Sequence, residues 1–200
     1  MDSINKLIEI FRDFPGVGPR QAKRFAYFLF TKDDFYLKKF AELILNIKKE
    51  VGICKKCFRF FLTYGRDIKT CQTCLEKRDT SQLMIVSRDV DFENIEKTKI
   101  FSGYYFILGG FVPILEKNPE KKIRQNELLE RVKDTEIKEI ILALDCNPDG
   151  EHTEQYIKRI LKDNIKSDIK ISHLGRGLST GTELEYSDPE TIKNALKNRQ

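Results

Sequence analysis

Residues 13–29 read DFPGVGPRQAKRFAYFL, with two glycines and two prolines placed around Val17. Glycine and proline break helices, so the chain turns here. Helical periodicity lies on both sides of the turn. Before it, Ile4, Leu7, Ile8 and Phe11 follow the i, i+3, i+4, i+7 spacing of a helix buried on one face, with Ser3 as the expected N-cap. After it, Ala22, Phe25, Ala26 and Leu29 repeat the stripe. Pro19 falls at a first helical position, where its missing N–H costs nothing.

This turn suits phosphate. Gly16 and Gly18 have no Cβ, so an anion can approach the main chain closely. The N–H groups at the start of the second helix point outward at it. Arg20, Lys23 and Arg24 add positive charge beside it. The pattern is that of a helix-hairpin-helix, which grips nucleic-acid backbone without reading bases. The same residues also fit a plain helical hairpin that needs glycine only to reverse direction. A third amphipathic stretch carries Leu37, Phe40, Ala41, Ile44 and Ile47 and is expected to cover the hairpin's apolar face.

The 200 residues are 40% hydrophobic and 34% charged, a balance that suits a folded chain and not a disordered one. No low-complexity tract or internal repeat is visible. The opening MDSINKLIEI lacks the basic start and apolar core of a secretion signal. The uncharged run Tyr104–Leu115 is too short to span a bilayer and is broken by Gly109, Gly110 and Pro113. A cytoplasmic protein with no membrane partner is expected. Net charge is +5, unevenly spread. Residues 1–80 hold 17 Lys and Arg against 10 Asp and Glu, whereas residues 81–200 hold 19 against 21. The basic excess favours a polyanion-facing N-terminal part, although a solvated Lys-rich surface has the same composition.

Residues 54–74 read CKKCFRFFLTYGRDIKTCQTC: two C-x2-C pairs separated by thirteen residues. In a cytosolic chain disulfides are disfavoured. Each pair can place two thiolates on one tight knuckle, and Cys54, Cys57, Cys71 and Cys74 together make a sulfur tetrahedron suited to Zn²⁺. Four protein ligands leave no open position, so the metal is expected to be structural. Reduced packed thiols or an iron–sulfur cluster are the alternatives. Cys146 stands alone and reads as a buried core thiol.

From Leu83 onward the texture changes. Leu83–Val86, Tyr104–Leu108, Ile140–Leu144 and Ile169–Leu174 are near-continuous apolar runs, as buried parallel strands are. Helical stretches at Val90–Lys97, Gln125–Val132 and Glu151–Asp163 alternate with them, and Pro189 opens a last helix. The alternation predicts an α/β layer fold. After the third strand, LDCNPDGEHTEQYI brings Asp145, Asp149 and Glu151 to a loop at a strand's C-terminal end, where ligands sit in such sheets. The loop reads either as a Mg²⁺ site or, preferably, as a turn capping the next helix.

These pieces, in this order and length, resemble the bacterial RecR family of recombination mediators over essentially the whole chain. The marks are FPGVGPRQAKRFA, the paired C-x2-C, YYFILGG and GRGLSTGTELEYSDPETIKNAL. The resemblance implies an α+β multi-module protein. Its parts are a helix-hairpin-helix over residues 1–52, a four-cysteine zinc module over 53–78, a Toprim α/β domain with a parallel sheet over 79–175, and a C-terminal helical segment over 176–200 that contacts other copies. It further implies a ring-like homo-oligomer that clamps DNA near the nucleoid. RecO and RecF would be its partners, and RecA loading on single strands coated by single-strand-binding protein its role. Gly16, Gly18, Arg20, Lys23 and Arg24 fall in the DNA-contacting hairpin. Asp145, Asp149 and Glu151 fall on an acidic loop that receives the partners. Catalytic Toprim proteins carry a glutamate after the first strand and Asp-x-Asp after the third. Here Ser87-Arg88 and Asp145-Cys146-Asn147 stand there, and the family's usual Glu-Gly-Glu is Asp149-Gly150-Glu151. A non-enzymatic clamp is expected; a Mg²⁺-dependent Toprim nuclease and a zinc adaptor that binds only proteins are the rivals.

Overall fold

The computed structural model describes residues 2–133, 136–164 and 168–199. The chain separates into two compact units, Met1–Val51 with Thr63–Arg66, and Gly52–Leu62 with Asp67–Gln200.

The first unit is helical: α1 (Ser3–Arg12), α2 (Pro19–Phe30) and α3 (Asp34–Glu50). Asp2, not Ser3, caps α1. Its carboxylate accepts the Asn5 N–H at 2.8 Å, and a negative charge suits that helix end better than a hydroxyl. The two stripes meet as expected: Ile8, Phe11, Ala22 and Ala26 form the buried cluster, with Leu7, Val17, Phe25 and Leu29 against it. Small Ala22 and Ala26 allow α1 to lie close, while the Phe11 and Phe25 rings meet edge to face at 5.7 Å. Here α3 departs from expectation. Its apolar residues stay out of the hairpin's buried cluster and the helix fully buries no side chain, although Tyr36 meets Phe28 of α2 edge to face at 6.4 Å. Phe35, Phe40, Leu43, Ile44, Leu45 and Ile47 remain exposed.

The second unit is built on a four-stranded sheet of β3 (Asp79–Val86), β4 (Gly103–Ile107), β5 (Glu139–Ala143) and β6 (Lys170–His173). It has the order β4-β3-β5-β6 and every pairing is parallel. Side chains alternate across it. Leu83, Ile85, Phe106, Ile140 and Leu142 join one core with residues of α6 (Gln125–Val132) and α7 (Pro148–Asn164). Met84, Val86, Tyr105, Ile107 and Ala143 join another with Phe92 of α5 (Asp89–Thr98). Both faces are covered, which is why the strands read as unbroken apolar runs. Upstream, β1 (Val51–Ile53) and β2 (Phe60–Leu62) pair, and a short helix, α4, covers Gln72–Leu75. The last helix, α8 (Pro189–Lys197), is capped by Asp188, which accepts from the Glu190 and Thr191 N–H groups at 3.0 Å.

One ion pair locks the entrance to β3. Arg78, 8% exposed, donates to the Gly103 carbonyl at 2.9 Å and pairs with Glu96 of α5, 13% exposed. Burial works to raise the Glu96 carboxyl, but hydrogen bonds from Lys99 and Arg78 prevail and hold it below its ordinary value. Its stabilising contribution is therefore complete above the unfolded value and is lost as pH falls through the folded one. Arg78→Ala leaves this carboxylate only the exposed Lys99 ammonium and is expected to cost about 2 kcal/mol near neutrality. Urea unfolding at stepped pH checks it: the gap from the wild type should narrow below about pH 4 as Glu96 takes up a proton.

Candidate metal centre and nucleic-acid interface

The hairpin turn uses its two glycines differently. Gly16 has φ +76°, a left-handed conformation that glycine adopts freely. Gly18 has ordinary extended angles, φ −79° and ψ 171°, and caps α2 without any side-chain acceptor. A Cβ on Gly18 would meet nothing within 4 Å. Neither its backbone nor its neighbours within the chain require glycine there, and its absent side chain leaves the start of α2 open. Pro19 occupies the first helical position and no acid lies in the first turn. Gly16, Gly18, Arg20, Lys23 and Arg24 are all exposed. Among the described residues no carboxylate pairs with the three cations; Arg24 reaches only the Gln21 amide oxygen, at 3.5 Å. Open amides and unpaired guanidinium and ammonium groups thus share one helix end, a site that an anion completes.

The four cysteines converge. Cys54, Cys57, Cys71 and Cys74 are buried and their sulfurs all lie within 4.8 Å of one another. The Cys57 and Cys71 sulfurs are 3.6 Å apart. A tetrahedral site with zinc–sulfur bonds of about 2.3 Å has edges of about 3.8 Å, so the cluster fits a metal of that kind. The knuckles form for local reasons. Phe58 takes φ 64° directly after Cys57, its N–H donating to the Cys54 carbonyl at 2.9 Å. Cys71 is the N-cap residue of α4, its N–H directed at the Cys54 sulfur at 3.4 Å. Without a cation the four cannot all ionise: the neighbouring Cys57 thiol holds Cys54 below the ordinary thiol value, while the bond to Cys54 holds Cys57 far above it. The module is anchored to the sheet. Ile107 N–H donates to the Cys57 carbonyl at 2.8 Å, the Phe58 ring packs on Phe106 at 5.2 Å, and Phe60 N–H donates to Asp89 at 2.7 Å.

The acidic loop is a capped helix start, the preferred of its two readings. Asn147 accepts the Gly150 N–H at 2.8 Å, and Asp149 and Glu151 already belong to α7. The three acids do not converge on one point. Asp145 pairs with Arg88 at 3.3 Å, and Arg88 also meets Asp91 at 3.6 Å. Glu151 pairs with Arg176 at 2.6 Å, and Arg176 reaches Glu154 at 3.6 Å. Asp149 is exposed. Among the described residues, the only group of three or more potential ligands close enough for a metal is the cysteine cluster. Cys146, expected in the core, is exposed. It stands beyond the last residue of β5, at the edge of a cavity of about 560 Å³ lined also by Glu151, Arg176 and Asn194. Periodicity registers its apolar character but not that β5 has already ended. Arg176 escapes sequence reasoning for the opposite reason: nothing in its neighbours marks it as the partner of α7.

Three family models match the chain: the RecR helix-hairpin-helix over residues 4–48, the Toprim domain over residues 81–174 and the RecR C-terminal region over residues 177–200. Curated relatives extend along the whole chain. Recombination protein RecR of Dehalococcoides mccartyi is 33% identical over 199 residues, 99% of this chain and 94% of its own length. That of Bifidobacterium adolescentis is 33% identical over 99% of this chain and 96% of its own, and that of Chloroflexus aurantiacus 33% over 98% and 93%.

Gly150 tests the geometry of the acidic turn. A Cβ there would lie 2.1 Å from the Asp145 carbonyl oxygen, a backbone atom that cannot swing aside. Gly150→Ala is expected to lower the thermal midpoint and to shift the Asp145 and Arg88 resonances in an NMR spectrum; a Gly150→Ala protein with unchanged midpoint and spectrum contradicts this placement.

Proposed function

This chain belongs to the RecR family of recombination proteins, and we propose that it is a non-enzymatic clamp that holds DNA by its sugar–phosphate backbone during recombination repair. The observation that carries this reading is the uncapped start of α2, with Arg20, Lys23 and Arg24 unpaired beside it. Gly16 forms the left-handed turn and Gly18 leaves room for a phosphate against the amides. Such contacts ignore base identity, so binding is independent of sequence and falls steeply with salt. Family membership supports the recombination role. The proposal adds RecO and RecF as partners, RecA loading on single strands as the outcome, and the cytoplasm, close to the nucleoid, as the place. Among the described residues no helix is long and apolar enough to cross a membrane.

The division into residues 1–52, 53–78, 79–175 and 176–200 assigns one task to each part. The hairpin binds DNA. Cys54, Cys57, Cys71 and Cys74 hold one structural Zn²⁺, which neutralises the thiolates and fixes both knuckles. Asp145, Asp149 and Glu151 present acidic charge to partner proteins. A chain of 200 residues is too short to surround a duplex, so encirclement needs several copies in closed symmetry. Exposed apolar residues of α3, together with Leu184, Tyr186 and Leu196 near the C-terminus, supply surface for it.

The Toprim crevice argues against strand cleavage. The strand order switches direction between β3 and β5, and ligands of such sheets sit beyond those strand ends. That place is taken by Arg88, whose guanidinium neutralises Asp145. A cation fixed there opposes Mg²⁺ and already pairs with the two carboxylates beside it, Asp145 and Asp91.

Two experiments check the proposal. Arg20→Glu combined with Lys23→Glu is expected to abolish binding of labelled DNA at low salt while metal content and circular dichroism stay as in the wild type; binding that matches the wild type across a salt series removes the DNA assignment. Elemental analysis is expected to find one zinc per chain, lost in Cys57→Ser with a marked fall in unfolding midpoint, and protein purified without zinc would refute the metal.

A further inference from the structure

We infer that Tyr27 is an aromatic platform on which an unstacked base of single-stranded DNA rests, beside the phosphate-binding end of α2. This inference rests on the reading that α2 faces DNA and extends it to strand preference.

Arg20, Lys23, Arg24 and Tyr27 stand at i, i+3, i+4 and i+7, one continuous face of the helix. The opposite face carries Ala22 and Ala26, both fully buried against α1. Tyr27 is therefore turned to the same side as the three cations, and it is 61% exposed. Phe30, 48% exposed, meets its ring edge to face at 5.8 Å and props it. The other exposed rings nearby are already engaged. Phe28 packs on Tyr36 at 6.4 Å, and the Lys32 ammonium lies over both, 4.3 Å from the Phe28 centroid and 5.6 Å from that of Tyr36. Among the described residues no cation lies over Tyr27. Its exposed ring is flanked by Arg20, Lys23 and Arg24, charges of the sign that a nucleic acid requires.

The chemistry separates two kinds of strand. Amides and cations grip phosphate in single strands and duplexes alike. A ring gains only from a base whose face is free, as in a single strand, where stacking on an aromatic side chain contributes about 1–3 kcal/mol per base. The occupant that fits an exposed ring inside a basic face is thus a single strand, with its backbone along Arg20, Lys23 and Arg24 and a base on Tyr27.

The test uses the full-length protein and two fluorescently labelled probes of equal length, an oligothymidine and a duplex, in anisotropy titrations at several salt concentrations. Tyr27→Ala is expected to weaken oligothymidine binding roughly 5- to 100-fold, from that stacking range. Its duplex affinity and salt slope should stay within about twofold, and Tyr27→Phe should restore the single-strand affinity. The chain contains no tryptophan, so Tyr27→Trp installs a single reporter. Its emission should be quenched by oligothymidine and little changed by duplex. Equal losses on both probes, no loss on either, or a Trp emission that ignores bound oligothymidine overturns the inference. A changed solution mass of Tyr27→Ala without DNA also overturns it, because the ring then belongs to a contact between copies. The variant with Arg20→Glu and Lys23→Glu separates the two readings. If it still binds both probes, the DNA role of α2 fails; if it loses both while Tyr27→Ala loses neither, only the platform fails.

Discussion

The start of α2 is an electrostatic site that the chain leaves incomplete. A helix end concentrates positive potential in its first turn, and a side-chain cap or a nearby acid usually answers it. Here glycine supplies no cap, proline removes one donor, and three cations add to the potential. The hairpin's packing presents this end: Val17 plugs the turn into the α1–α2 core so that Gly16 and Gly18 stay outside it. The cysteine cluster is incomplete in the opposite sense. Four sulfurs within 4.8 Å repel as thiolates until a cation lies among them. One site calls for an anion and the other for a metal.

The Toprim crevice is the contrasting case, because it is already complete. Arg88 answers Asp145 and Asp91, and Arg176 answers Glu151 and Glu154. The fold that elsewhere concentrates carboxylates at the ends of β3 and β5 here pairs them with arginines. An intramolecular guanidinium is a fixed counter-ion that a dissolved divalent cation must displace before it can bind. Surface pairs of this kind contribute little to stability, so their effect lies in setting the charge of the surface.

Much of this is legible in the sequence because it is local or periodic. The i, i+3, i+4 stripes mark α1 and α2, the apolar runs mark the four strands, and C-x2-C spacing marks the four converging cysteines, each a pattern that a few neighbouring residues carry. What escapes depends on distant partners. The cap of α1 is Asp2 and not Ser3; both are good caps, and only the Asn5 hydrogen bond decides between them. The stripe on α3 looks like every other buried stripe, but periodicity shows that a face is apolar and not what covers it. Cys146 reads as core because its apolar character hides the end of β5, which closes at Ala143. Arg176 and Tyr27 carry no signal of their own; Arg176 gains meaning from Glu151, 25 positions away, and Tyr27 from sharing a helix face with three cations.

The bare surface of α3 has a thermodynamic consequence. A helix that leaves Phe35, Phe40, Leu43, Ile44, Leu45 and Ile47 exposed gains little from packing within its own unit. If a second copy supplies the cover, mass action enters the stability of the N-terminal unit, and each tenfold dilution subtracts about 1.4 kcal/mol from the association that shelters it. Abundance would then regulate the protein with no dedicated effector: scarce chains would stay open and labile, and crowded ones would close.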